Sequence, residues 1–256
     1  MVYPDLGSLQ CLETRLEEGV LTIALNRPAQ RNRIDAALSL EMEKLLRAVA
    51  ADAEVRVVLL RGAGEGFCAG VERQDSAHAA AWTTRQLRLL PQPVIAVVHG
   101  FCEGEACTLL ESCDIVLAAE DARFVLPEAG LTSGAVAKAA SRVMAQRAAD
   151  YYALTGHAFD GAEAERNGLA TRCVPAASLD SEARALAADL VAKDPLAVQF
   201  TKQTLLHVGA MSWDGVLSFT AAKFAELKAL QAGRPSTRAA AVESFLAGKS
   251  KPGLGS

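Results

Sequence analysis

Apolar positions fall into short runs and longer amphipathic stretches that alternate along the first half of the chain. Residues 11–18 and 20–25 are strand-length runs on either side of Glu18-Gly19, which predicts a hairpin. Asn26-Arg27-Pro28 stops the second run. Asp35 can cap a helix over residues 36–52, with Leu38, Leu40, Met42, Leu45, Leu46 and Val49 supplying its apolar side. Residues 55–61 are apolar enough for a strand buried on both faces. A glycine turn over 62–66, the run Phe67-Cys-Ala-Gly-Val71 and a helical stretch over 77–90 lead to a second such strand, 93–98. A glycine turn, a helix over 106–112 and a strand over 115–119 follow. The pattern is one of repeated ββα or βαβ units. Past Gly134 it becomes helical only: 135–149, 162–167, 181–193, 196–208, 213–231 and 234–246. Leu217, Phe219, Phe224 and Leu227 keep the long late helix apolar, as a helix that covers a core or meets another subunit requires.

Composition narrows the class. Hydrophobic residues make up 51% of the 256, enough for a substantial core. The net charge is −4 with both signs interspersed and no lysine–arginine block, which argues against a nucleic-acid partner. No apolar run approaches the ~18–20 residues of a membrane span, so no membrane association is expected. The N-terminal stretch has neither the charged nor the apolar region of a secretion signal. The six cysteines lack paired spacing and the four histidines lack ligand spacing, so a reduced, cytoplasmic protein without metal is expected.

Candidate chemistry gathers in residues 100–134. Strand, tight glycine turn and helix together present main-chain N–H groups where a developing negative charge is stabilised. Glu128 stands alone among apolar neighbours, Phe124-Val-Leu-Pro-Glu-Ala-Gly-Leu131. A carboxylate there is costly unless it is paired, protonated or used. Glu111 follows Thr108 by one helical turn and is read as an arginine partner. Trp82 and Trp213 are read as core or interface residues.

The order of motifs resembles the crotonase (enoyl-CoA hydratase/isomerase) superfamily. The resemblance rests on Asn26-Arg-Pro, Phe67-Cys-Ala-Gly-Val-Glu72, Gly100…Cys113-Asp114 and Phe124…Pro127-Glu128…Gly130. It continues through Leu154-Thr-Gly156, Gly168-Leu169, Val174-Pro175, Lys202 and Phe245-Leu…Lys251-Pro252. It implies an α/β fold, a crotonase-like spiral of ββα units over residues 1–195, with a C-terminal helical trimerisation region over 196–256. It further implies an acyl-CoA substrate, no cofactor beyond the coenzyme A of that thioester, and a homotrimer or dimer of trimers. The oxyanion hole falls on the backbone N–H groups of Val71 and Glu105. The two catalytic positions fall on Thr108 and Glu128, and the coenzyme A contacts on Arg31, Ala69, Arg73 and Lys202.

Two departures bear on the reaction. Only Glu128 of the two catalytic positions is an acid, as in Δ3,Δ2-enoyl-CoA isomerases and in hydroxycinnamoyl-CoA hydratase-lyases, which the C-terminal half also resembles. The tyrosines by which those lyases hold a phenol fall on Ser76 and Ala221. The usual triple-glycine turn reads Gly104-Glu105-Ala106, where a glutamate is expected to strain the backbone if that position needs positive φ. A hydratase/isomerase-type enzyme, an isomerase, an arylpropenoyl-CoA hydratase-lyase and a non-catalytic acyl-CoA-binding subunit all stay open at this level.

Overall fold

The computed structural model of the chain describes residues 9–72, 85–127 and 142–232. Strands β1 (Leu12–Glu17) and β2 (Val20–Leu25) form the hairpin, in register from Leu12↔Leu25 to Glu17↔Val20. Its two turn residues take φ of 49° and 81°, the left-handed geometry that matches strand twist in a two-residue turn. Helix α1 (Ala36–Ala51) begins where the Asp35 carboxylate accepts a hydrogen bond from Leu38 N at 2.8 Å. It buries Leu38, Met42, Leu45, Leu46 and Val49. Leu40, expected on the same side, is 52% exposed, because two residues turn a helix through about 200°.

Strand β3 (Val57–Gly62) pairs parallel with β2, and β4 (Val94–Val98) parallel with β3. All five residues of β4 are buried, as in a sheet covered on both faces. Two short elements then follow, β5 (Phe101–Glu103) and helix α2 (Ala106–Leu110), before β6 (Ile115–Ala119) pairs parallel with β4. Strand β7 (Arg123–Val125) pairs with β5 in a separate two-stranded sheet. Helices α3 (Gln146–Thr155) and α4 (Gly161–Asn167) precede β8 (Arg172–Val174), which completes the order β1-β2-β3-β4-β6-β8. Helix α5 (Leu179–Val191) packs on β3, β4 and β6.

The chain forms two compact units, Met1–Ala192 and Lys193–Ser256. In the second, helices α6 (Pro195–Val208) and α7 (Trp213–Gln231) are capped by Asp194 and Ser212 and pack on each other. Only Phe200 is buried among the described residues of that pair, and Trp213 is 80% exposed.

Some expectations fail. The helix expected over 135–149 is broken before Ala145, and α3 runs from Gln146 to Thr155, where Gly156 takes the left-handed cap. Strands β5, β7 and β8 carried no sequence signal. The expected helices over 77–84 and 234–246 lie outside the described residues. Among the described residues no helix is long and apolar enough to cross a membrane.

Candidate active site

Two segments leave the ends of neighbouring parallel strands and run side by side. Residues 67–71 follow β3, and residues 101–105 follow β4. Phe67 N donates to Phe101 O at 2.9 Å and Glu103 N donates to Cys68 O at 3.0 Å, so the pair is laced by main-chain hydrogen bonds. On its other side the first segment meets the loop before α1. Ala69 N donates to Arg31 O at 3.0 Å, Ile34 N to Gly70 O at 2.9 Å and Glu72 N to Ile34 O at 2.9 Å. Buried Asn32 pins that loop: its amide donates to the Ala63 and Gly66 carbonyls at 2.8 and 3.0 Å, and its Oδ1 accepts from Arg27 N at 2.9 Å. Arg27 adds ion pairs to Asp35 at 2.8 Å and Glu72 at 3.4 Å. Sequence reasoning stopped at the Asn26-Arg-Pro motif and missed Asn32; only its place in a polar turn hinted at the role.

These bonds aim two amides. In a trans peptide the C=O and the following N–H point opposite ways. Gly70 O is taken by Ile34 N, so Val71 N–H faces away from Ile34, toward the side of residues 101–105. Gly104 O is taken by Cys107 N at 3.1 Å, so Glu105 N–H faces away from α2. Neither amide donates a hydrogen bond among the described residues. Glycine is required at the crossing: Gly70 and Gly104 take φ of 91° and 59°. A Cβ at Gly70 would stand 3.1 Å from Glu103 O and 3.7 Å from Glu105 N, so the two segments touch there.

The strain expected at Glu105 is absent. The left-handed residue of the turn is Gly104, and Glu105 sits at φ −63°, ψ −12°, an ordinary helical conformation. Glu105 therefore begins α2 as a normal L-residue. Thr108, one turn on, is buried, and its hydroxyl donates to Glu105 O at 2.6 Å. Of the expected coenzyme A contacts, Arg31 and Ala69 are hydrogen-bonded neighbours. Arg31 stacks 4.1 Å over the Phe101 ring and pairs with Glu103 at 3.3 Å. Lys202 lies in α6 of the second unit. Glu128, Arg73, Ser76 and Trp82 lie outside the described residues.

Glu111 does not behave as an arginine partner should. It is 2% exposed, and both carboxylate oxygens lack a hydrogen-bond partner among the described residues. Arg142 reaches it, but donates to the Glu111 main-chain carbonyl. Burial pushes the Glu111 carboxyl up to about 8, with the Arg142 charge opposing that rise. Cys68 and Cys102 in the two segments and Cys107 in α2 are buried, with Cys102 and Cys107 sulfurs 3.9 Å apart. Burial is the main reason that the Cys68 thiol rises to about 12, so it stays a neutral packing group. A cavity of about 930 Å³ opens elsewhere, between the sheet and α5, lined by Thr22, Arg61, His99, Asp180 and Arg184 among others.

The chain as a whole matches a known family. The sequence model described as enoyl-CoA hydratase/isomerase matches residues 15–231. The chain belongs to that family. It is 30% identical over 268 residues to the hydroxycinnamoyl-CoA hydratase-lyase of Pseudomonas fluorescens, covering 97% of this chain and 96% of that protein. It is 32% identical to the short-chain-enoyl-CoA hydratase of Clostridium acetobutylicum, covering 82% and 86% of the two chains. The crystal structure of an enoyl-CoA hydratase from Bacillus anthracis superposes with a TM-score of 0.84 at 26% identity, over 95% of this chain and 98% of that one. The α/β architecture is thus the crotonase fold, and the chain is an enzyme of this family.

Proposed function

We propose that the enzyme binds an enoyl-CoA thioester with its carbonyl oxygen between the Val71 and Glu105 amides, and that Glu128 moves the proton. The observation that carries this is the pair of amides without hydrogen-bond partners among the described residues, where the two segments touch. Fixed main-chain dipoles meet the charge of an enolate without reorganising, and one such donor is worth about 3–4 kcal/mol. Family membership supports the substrate class. Arg31, Ala69 and Arg73 hold the coenzyme A portion, Ala69 through its carbonyl since its N–H is taken. No cofactor is needed beyond the coenzyme A of the substrate. The exposed apolar side chains of α6 and α7 suit a trimer or a dimer of trimers. The buried free thiols suit a reduced cytoplasmic setting.

A second reading is favoured by Thr108. Its hydroxyl proton is committed to Glu105 O, leaving only lone pairs to orient a water. A one-acid site of that kind suits Δ3,Δ2-isomerisation, in which one base removes and returns a proton. Glu128→Gln tests both readings together. It is expected to cut turnover about 10²–10⁴-fold while acyl-CoA binding persists. Turnover that survives intact would remove Glu128 from the mechanism, and a panel of enoyl-CoA substrates followed by ultraviolet absorbance separates hydration from isomerisation.

A further inference from the structure

The acids near the two segments have unequal duties. Glu72 is held by Arg27 at 3.4 Å, and Glu103 by Arg31 and Arg123 at 3.3 and 2.8 Å. Glu105 is different: its carboxylate makes no hydrogen bond or ion pair among the described residues. A Cβ at Gly70 would stand 3.5 Å from Glu105 Oε2 and 3.7 Å from Glu105 N. The carboxylate therefore lies beside Gly70, the residue just before the Val71 amide. Its charge also reaches Cys68, where it adds a minor part to a rise caused mainly by burial. Residue 108, where the resemblance puts the second acid and this chain has threonine, is one helical turn on and about 60° around α2 from Glu105.

We infer that Glu105 supplies its carboxylate as well as its amide, as the acid–base group that holds the water added to Cβ of an enoyl thioester. The inference rests on the reading proposed above and deepens it. In the reverse direction the same carboxylate accepts a hydrogen bond from the 3-hydroxyl of a 3-hydroxyacyl thioester, which defines the substrate pair. In hydration the water oxygen bonds to Cβ, the π pair moves through Cα to the thioester oxygen, and the water proton passes to Glu105. The enolate then collapses as Cα takes a proton from Glu128, and solvent carries the proton on Glu105 back to Glu128. Glu105 becomes neutral as the enolate forms, so the site never holds both negative charges together. That removes the repulsion a glutamate beside an anion hole would otherwise impose.

The test uses the full chain with Glu105→Gln, Glu105→Gly and Glu128→Gln. Hydration of crotonyl-CoA is read by absorbance, and exchange of the α-protons of butyryl-CoA with D2O by NMR, since exchange needs an enolate but no added water. Both Glu105 variants are expected to lose about 10–100-fold more hydration kcat than exchange rate, with a small change in KM. Hydration and exchange falling together would make Glu105 a scaffold residue and overturn the inference. So would a Glu105→Gly enzyme faster than the parent, or a parent that exchanges but does not hydrate. If exchange is lost in Glu128→Gln while hydration survives in Glu105→Gln, the inference fails and the proposed function stands. A parent that neither exchanges nor hydrates overturns both.

Discussion

Helices α1 and α7 are both rich in apolar side chains, and they dispose of them in opposite ways. Helix α1 puts Leu38, Met42, Leu45, Leu46 and Val49 out of reach of water. Helix α7 buries none of its residues, and Trp213, Leu217 and Phe224 stand exposed within about 40° of one another around the helix axis. A stripe of that kind in an ordered helix wants a cover. Helix α1 thus closes its apolar side on its own unit, while α7 carries the surface proposed above for subunit contact.

The largest expected effect tests that contrast directly. Replacing Trp213, Leu217 and Phe224 together by serine removes side chains each worth about 1.5–3 kcal/mol when buried. Association should weaken at least about a thousandfold, which is about 4 kcal/mol. Sedimentation velocity would show monomers at micromolar concentration, with the circular dichroism of the parent retained. An undisturbed oligomer would place the contact elsewhere and end the contrast.

The next effect concerns the core and Glu111, the acid buried in it among the described residues. Glu111 has a folded pKa of about 8 against an ordinary value of 4.5. Between those values the folded state binds the proton that the unfolded state has lost, so stability falls as pH rises through the window. Arg142, Arg88 and Asp114 are the described charges of this cluster. Glu111→Gln should therefore gain on the parent by about 2–4 kcal/mol between pH 5 and pH 8.5, read by urea unfolding. Parallel pH profiles for the two proteins would mean that Glu111 is solvated or paired in solution.

The smallest effect separates binding from bracing at Arg31. An exposed ion pair is worth under about 1 kcal/mol, so its loss barely changes the fold. If Arg31 holds coenzyme A, Arg31→Ala raises KM about 3–10-fold and leaves kcat alone, as loss of uniform binding does. A fall in kcat with unchanged KM would instead mean that Arg31 braces Phe101 and Glu103, and through them the Glu105 amide.

Much of this was legible in sequence where burial and period coincide. The hairpin at Glu18-Gly19, the Asp35 cap and the buried runs in β3 and β4 are local signals that tertiary structure left alone. The three-residue strands β5, β7 and β8 are too short to show a period and exist only through their partners. Residues 135–149 lack glycine and proline, so the break before α3 had no punctuation to announce it. Glu105 was expected to strain its turn because the motif records glycines without saying which one carries the positive φ. The Glu111 carboxylate, without a hydrogen-bond partner among the described residues, was missed because a charged residue on a helix is usually solvated or paired.

The peptide between Gly70 and Val71 acts as a single rigid plate with a handle at each end. Ile34 grips the carbonyl handle, and the N–H at the other end points wherever that grip sends it. The donor is therefore written in posture and has no letter of its own at position 71, where many side chains would serve equally. Its aim is held from behind, by the loop that Asn32 fastens to the Ala63 and Gly66 carbonyls and the Arg27–Asp35 pair to the start of α1. A substitution at Asn32 would re-aim the plate from a distance and, on the function proposed above, would read as a lost catalytic group.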